Sequence, residues 1–196
     1  MQASATGRRL HDPRGGSSFW FDAGAVCLDF AHSGGEGQYA VFESLHEPAD
    51  LAEWLARSPL DVVVPVTPRD FTAAKKLRQA IWETAQAQAA RQALPIDAVT
   101  TINRFAAVAP LVPQLAADGT AAAWAAPVRT SQVLSTLARE MISLLSGPYA
   151  ERIRVCASDN CPLVFVDLSR PGARRWCSME RCGNRSKLRA HRARQA

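Results

Sequence analysis

In three stretches of the chain the apolar positions recur three and four residues apart, the period of a helix that buries one face. Phe71, Ala74, Leu77, Ile81 and Ala85 form the longest series. Thr67-Pro68-Arg69-Asp70 stands ahead of it as a start signal, because proline fits the first helical position without losing a hydrogen bond. A helix is predicted from there to about Arg91. Val99, Ile102 and Phe105-Ala106 predict a second helix opening near Pro95. Leu134, Leu137, Met141, Leu144 and Leu145 predict a third, capped by Thr130 or Ser131 and stopped by Gly147-Pro148. Upstream, Asp50-Leu51-Ala52-Glu53 has the form of a capping box with Asp50 as cap, and opens a short helix through Trp54 and Leu55.

Elsewhere the pattern shortens. Phe19-Trp20-Phe21-Asp22 and Val26-Cys27-Leu28-Asp29-Phe30 predict a strand or a hairpin turning through Ala23-Gly24. Leu111-Val112 and Ala121 to Trp124 flank Asp118-Gly119, a hairpin turn signal. Residues 1–18 hold Arg8, Arg9 and Arg14 but no apolar core, so they read as a flexible leader and not as a secretory signal. Residues 19–150 are therefore expected to form a mainly helical α+β domain with a few short strands. A small C-terminal unit, residues 151–196, follows a boundary between about Gly147 and Arg154.

Charge separates the same two parts. Residues 1–150 carry 12 Lys+Arg against 14 Asp+Glu, a net −2, whereas residues 151–196 carry 11 against 4, a net +7. Ten of those eleven cations are Arg, whose planar fork suits phosphates and guanine edges. No apolar run approaches the roughly 18 residues of a membrane span. The protein is expected in the cytoplasm, where paired cysteines are metal ligands more often than disulfides.

Four of the five cysteines fall in the basic part as two pairs of equal spacing, Cys156-x4-Cys161 and Cys177-x4-Cys182. Four thiolates are a common closed set for tetrahedral zinc. Asp159-Asn160 supplies the turn residues of a knuckle. Leu163 to Asp167 is then expected as a strand, Ser169-Arg170-Pro171-Gly172 as a turn and Arg174 to Cys177 as the returning strand. A helix is expected from Cys182 through Leu188 towards Arg194. This is the outline of a treble-clef or zinc-ribbon-like module holding one structural Zn²⁺. A piece of roughly 40 residues buries too little apolar surface to fold firmly alone, and zinc supplies about 10–16 kcal/mol in comparable peptides. Cys27 stands apart on an apolar run and reads as an ordinary buried thiol.

The stretch from Arg174-Arg175-Trp176-Cys177 through Arg181-Cys182-Gly183-Asn184-Arg185 closely resembles the signature of the CGNR zinc-finger family. Ser186-Lys187, Arg189-Ala190-His191-Arg192, and the upstream Cys156 to Cys161 with Phe165 and Asp167, also fit it. Gly24 to Ser33, with Leu28-Asp29-Phe30 at its centre, resembles the opening of the ABATE-type domain that usually precedes this finger. Two positions depart from the pattern: Pro162-Leu163 stands where members often have Gly-Trp, and His32 where Asn is expected. The resemblance implies a bacterial DNA-binding regulator of transcription under stress.

Arg185, Arg189 and Arg192 fall at i, i+4 and i+7 of the expected helix, one stripe, with Lys187 and Arg194 on the other side. Arg174, Arg175, Arg181, Asn184, Arg185, Lys187, Arg189, Arg192 and Arg194 are the candidate nucleic-acid contacts, because each neutralised phosphate releases counterions. Asn184 can pair with adenine or cap the helix, and Arg185 can bond knuckle carbonyls instead of DNA. A zinc-stabilised RNA- or protein-interaction adaptor is the alternative. Asp29, His32 and His46 have no catalytic spacing, so no enzyme is expected. A small-molecule effector site in the first domain is the better reading, with Phe19, Trp20, Phe21 and Trp54 as its lining or as core.

Overall fold

The computed structural model describes residues 7–12, 16 and 18–195 of the chain. Its spine is helix α3 (Pro68–Ala89), which carries Ala74, Leu77, Ile81 and Ala85 on its sealed face. Thr67 and Asp70 cap it reciprocally: Asp70 N donates to Thr67 Oγ1 at 3.1 Å and Thr67 N to Asp70 Oδ2 at 3.1 Å. Against α3 pack α1 (Val26–Ala31), α2 (Pro48–Arg57), α4 (Ile96–Ala106) and α5 (Thr130–Ser146). Periodicity located α3, α4 and α5 well, since each is long enough for its apolar face to repeat.

Two local signals read differently in three dimensions. Helix α2 opens one turn earlier than the capping box at Asp50 suggested: Pro48 takes the first position and Asp50 the third. There Asp50 Oδ2 accepts from the backbone N–H of His46 at 2.6 Å and of Glu47 at 3.0 Å, so the carboxylate reaches back instead of forward. The run Val26 to Phe30, expected as a strand, is the core of helix α1, with all six of its residues buried. A short apolar run carries no period that separates strand from helix. The deciding contact is remote: Glu140 of α5 accepts from Val26 N at 3.3 Å and Cys27 N at 2.6 Å, satisfying the first donors of α1.

The leader is also partly ordered. Strand β1 (Arg8–His11) pairs antiparallel with β2 (Ser18–Phe21), Leu10 opposite Phe19 and Arg8 opposite Phe21. Alternation sends Phe19 and Phe21 into the core and leaves Trp20 outside. The remainder of the expected leader, residues 1–6, 13–15 and 17, lies outside the described residues. Strands β3 (Pro113–Leu115) and β4 (Ala122–Trp124) form the hairpin expected around Asp118-Gly119, where Gly119 has φ +69° and Asp118 Oδ1 accepts from Thr120 N.

The cysteine-bearing part holds a hairpin of different composition from the one expected. Strand β6 (Val164–Val166) pairs with β5 (Ile153–Val155), ahead of the first cysteine, and not with residues 174–177. The first cysteine pair therefore forms the bend of its own hairpin. Arg174 to Cys177 runs past without strand pairing, held because Asp167 accepts from Arg174 N at 2.8 Å and Ser169 N at 3.0 Å. Strand β6 is buried throughout: Val166 N donates to Ala23 O at 2.8 Å, and Gln86 Nε2 of α3 donates to Pro162 O at 2.9 Å. One apolar core runs from Leu10 to Cys182, so residues before and after 147–154 share it.

Candidate metal centre and nucleic-acid interface

The first cysteine pair is positioned by the β5–β6 hairpin. Cys156 N donates to Leu163 O at 2.9 Å and Cys161 N to Ser158 O at 3.0 Å, so the four-residue gap folds into a tight loop with both sulfurs on one side. The second pair is set by a single π-type turn, Met179–Gly183, that runs into helix α6 (Asn184–Ala193). A Cβ on Gly183 would stand 2.5 Å from Met179 Sδ, the end of a flexible, half-exposed side chain, and 3.3 Å from Trp176 Cδ1, so a larger residue there needs the Met179 side chain to shift.

All four Sγ atoms lie within 4.8 Å of one another, and all four cysteines are buried. Cys177 Sγ stands 3.6 Å from both Cys161 Sγ and Cys182 Sγ. A tetrahedron with Zn–S bonds of about 2.3 Å has edges of roughly 3.8 Å, so two of the sulfur–sulfur separations match it and the others exceed it by no more than about 1 Å. Without a cation so many thiolates would repel. Crowding by the neighbouring sulfurs, Cys156 first, together with burial pushes the Cys161 and Cys177 thiols upward. Zinc with four thiolates keeps a net negative charge, and the protein answers with donors: Arg181 Nη1 lies 3.3 Å from Cys161 Sγ and Cys177 N donates to Cys156 Sγ at 3.4 Å. The closed donor set leaves no open position for a reacting water.

The candidate arginines divide into two groups. Arg181, expected at the nucleic-acid face, is buried against Phe19 and makes a two-point pair with Asp12, 2.7 Å from Nε to Oδ2 and 3.0 Å from Nη2 to Oδ1. Arg174 is likewise turned inward: its Nη2 donates to Asp22 O at 2.8 Å and Cys177 O at 2.5 Å, its Nε to Trp176 O, and its plane covers Phe165 at 4.0 Å. Both are struts of the finger, since desolvation makes each of them find acceptors inside.

Arg175, Lys187, Arg192 and Arg194 are exposed. Arg189 is half exposed and pairs with Asp159 at 3.2 Å. Arg185 does not reach the knuckle carbonyls; it meets Asp12 Oδ2 at 2.9 Å with half its side chain in water. Asn184, at the first position of α6, is exposed and makes no capping bond, so it does not serve as the cap of that helix. Asp12 is the residue the sequence concealed. Its partners lie at the opposite end of the chain, and nothing in the arginine-rich start marks it. Glu180 works beside it, accepting from Trp20 N at 2.9 Å and facing Arg9 at 3.8 Å.

The first domain contains a cavity of about 620 Å³ among β1, α1 and α2, walled by Arg8, Asp29, Leu45, Trp54 and Arg57. Of the four aromatic residues expected at such a site or in the core, Trp54 lines it; Phe19 and Phe21 are core, and Trp20 faces solvent. Burial lowers Arg8, whose Nη2 donates to Asp29 O at 2.9 Å. His32 has a structural task. Its Nδ1 donates to Leu28 O and its Nε2 accepts from Val164 N at 3.0 Å, joining α1 to β6. Burial pushes it down to about 3, so it stays neutral. His46 is exposed.

Two family models match the chain. The ABATE model, described as "Putative stress-induced transcription regulator", matches residues 24–148, and the CGNR zinc-finger model matches residues 152–195. Neither is an enzyme family. No curated protein matches the chain. The finger match and the clustered sulfurs agree: the four cysteines hold one structural zinc ion.

Proposed function

The chain belongs to the ABATE family and ends in a CGNR zinc finger, and from that premise we propose that it is a DNA-binding transcription regulator. One observation carries the reading: α6 presents Lys187 on one side and Arg192 on the other to solvent, with Arg194 just past its end, on a helix whose start is fixed by a zinc ligand. A rigid cationic helix is the kind of element that lies against a duplex, where phosphate contacts set register and base edges set sequence. Asn184, exposed on the same helix, has both the donor and the acceptor needed for adenine. Titration of duplex DNA, RNA and heparin across a salt series tests it, with an Arg189→Ala/Arg192→Ala variant alongside. Preference for some duplex sequences recovered from a random pool is expected. Equal weak binding to all three polyanions would overturn the reading, and tighter binding to RNA would favour an adaptor.

The cavity in the first domain supports a sensing role. Its volume suits a small molecule, and it combines apolar walls (Leu45, Trp54) with charged groups of both signs (Arg8, Arg57, Asp29). An amphipathic ligand with a charged head fits that lining. Quenching or enhancement of Trp54 emission by such ligands is the direct measurement, and a Trp54→Phe chain that gives the same signal would exclude this cavity.

A further inference from the structure

The half-exposed arginines of α6 are each held by a carboxylate from elsewhere in the chain. Arg185 is held by Asp12, in the residue after β1, and Arg189 by Asp159 in the first knuckle. With Arg192 and Leu188 they line a groove of about 350 Å³ whose other wall is Ser158 and Asn160. Three guanidiniums on one helical stripe beside a groove form the electrostatic footprint of a phosphodiester backbone. In this structure two of the three are already answered from within.

The two carboxylates do not hold all their partners equally. Asp12 and Arg181 form a buried two-point pair, with side chains 1% and 4% exposed. Arg185 reaches only Oδ2, the oxygen that Arg181 Nε also uses. Among the described residues, Asp12 is thus shared by two guanidiniums, and Arg185 is the one that also meets solvent. Separating Asp12 from Arg181 would strand a buried charge, which is strongly unfavourable. Releasing Arg185 into water or onto another anion costs little, and the Arg189–Asp159 pair, exposed on both sides, is equally easy to exchange. The strand that precedes Asp12 also carries Arg8 in the wall of the large cavity, so β1 touches both places.

We infer that Asp12 and Asp159 are internal competitors for nucleic-acid phosphate: they occupy Arg185 and Arg189 in the resting finger and yield them when a phosphodiester backbone enters the groove. The seat of β1 against the finger then sets how readily Arg185 is released. This deepens the DNA-binding reading and rests on it.

A double-mutant cycle tests the competition. Affinity for a random-sequence duplex and elution salt from heparin are measured for wild type, Asp159→Asn, Arg189→Gln and the double variant, with Asp118→Asn in the β3–β4 turn as a control for net charge. Asp159→Asn is expected to tighten duplex binding roughly 2–5-fold at low salt, the strength of an exposed ion pair. The gain should vanish when Arg189 is Gln, and Asp118→Asn should change binding by less than about 1.5-fold. Asp12→Asn should give the same Arg185-dependent gain. If it fails to fold for want of the Arg181 pair, the Asp159 cycle decides alone. Duplex binding with no gain, or a gain that survives Arg189→Gln, overturns the competition and leaves DNA binding standing. An Arg189-dependent shift on heparin without duplex binding would show the pair yielding to sulfate and not to a phosphodiester backbone, which overturns both the competition as stated and the DNA reading. No binding to either polyanion overturns both.

Discussion

Arg181 and Arg192 lie in the same basic segment, yet one is part of the scaffold and the other part of the surface. Arg181 is enclosed by Phe19 of the β1–β2 ribbon, pairs with Asp12 and donates to a zinc-ligating sulfur. Arg192 stands in solvent on α6, at the groove it lines with Arg185 and Arg189. The difference is desolvation. An enclosed guanidinium must find acceptors in the protein, whereas one in water is free to exchange its hydration for a phosphate. Arginine content locates a basic segment, but burial decides which of its arginines can bind anything.

The contrast between inner and outer face can be broken at its base by the metal. Metal analysis should give one zinc per chain. Chelation, or Cys177→Ser, should melt the finger, with a loss on the order of 10 kcal/mol judged from zinc-finger peptides, seen as loss of amide protection over residues 152–195. A metal-free finger that keeps its protection would remove the common support of both faces. Next in size is the inner face: Arg181→Ala leaves Asp12 buried without its main partner and should cost about 3–5 kcal/mol in urea unfolding. If Arg181→Ala unfolds like wild type, the inner arginine is not a strut.

His32 sharpens the comparison from the side of the first domain. Its folded-state value, pushed down to about 3 by burial, lies below its ordinary 6.5, so the unfolded chain binds the extra proton between these values. That contribution to stability is intact above pH 6.5 and is lost as pH falls towards 3. It amounts to about 2 kcal/mol by pH 5. His32→Asn should remove that slope, and an equal slope in the variant would assign it to other groups. The smallest effect on stability belongs to the outer face. Arg192→Ala should change unfolding by less than about 0.5 kcal/mol while lowering the salt slope of duplex binding by about 1. An unchanged slope would place the DNA contacts elsewhere.

Helices α3, α4 and α5 were legible because their apolar faces repeat over several turns and their starts carry local signals at Thr67-Pro68 and Pro95. The metal centre was legible because each ligand pair is local, and a knuckle needs only nearby turn residues. Helix α1 was not: its six residues are all buried, so burial leaves no alternation to read, and its donors are satisfied by Glu140 from α5. The partner of β6 was misread because two short segments compete for it, one on each side in sequence. Arg174 to Cys177 follows it through a turn signal, but the choice of Ile153–Val155 follows from how the hairpin sits on α3.

By itself the sequence determined the cysteine pairs, the basic helix behind them and the long amphipathic helices, since each depends on residues close in the chain. The tertiary structure decided that Arg174 and Arg181 face inward, that Asp12 governs Arg181 and Arg185, and that His32 ties the first domain to β6. Those assignments rest on contacts between distant segments, where the removal of water, and not the identity of neighbours in sequence, sets what each polar group must do.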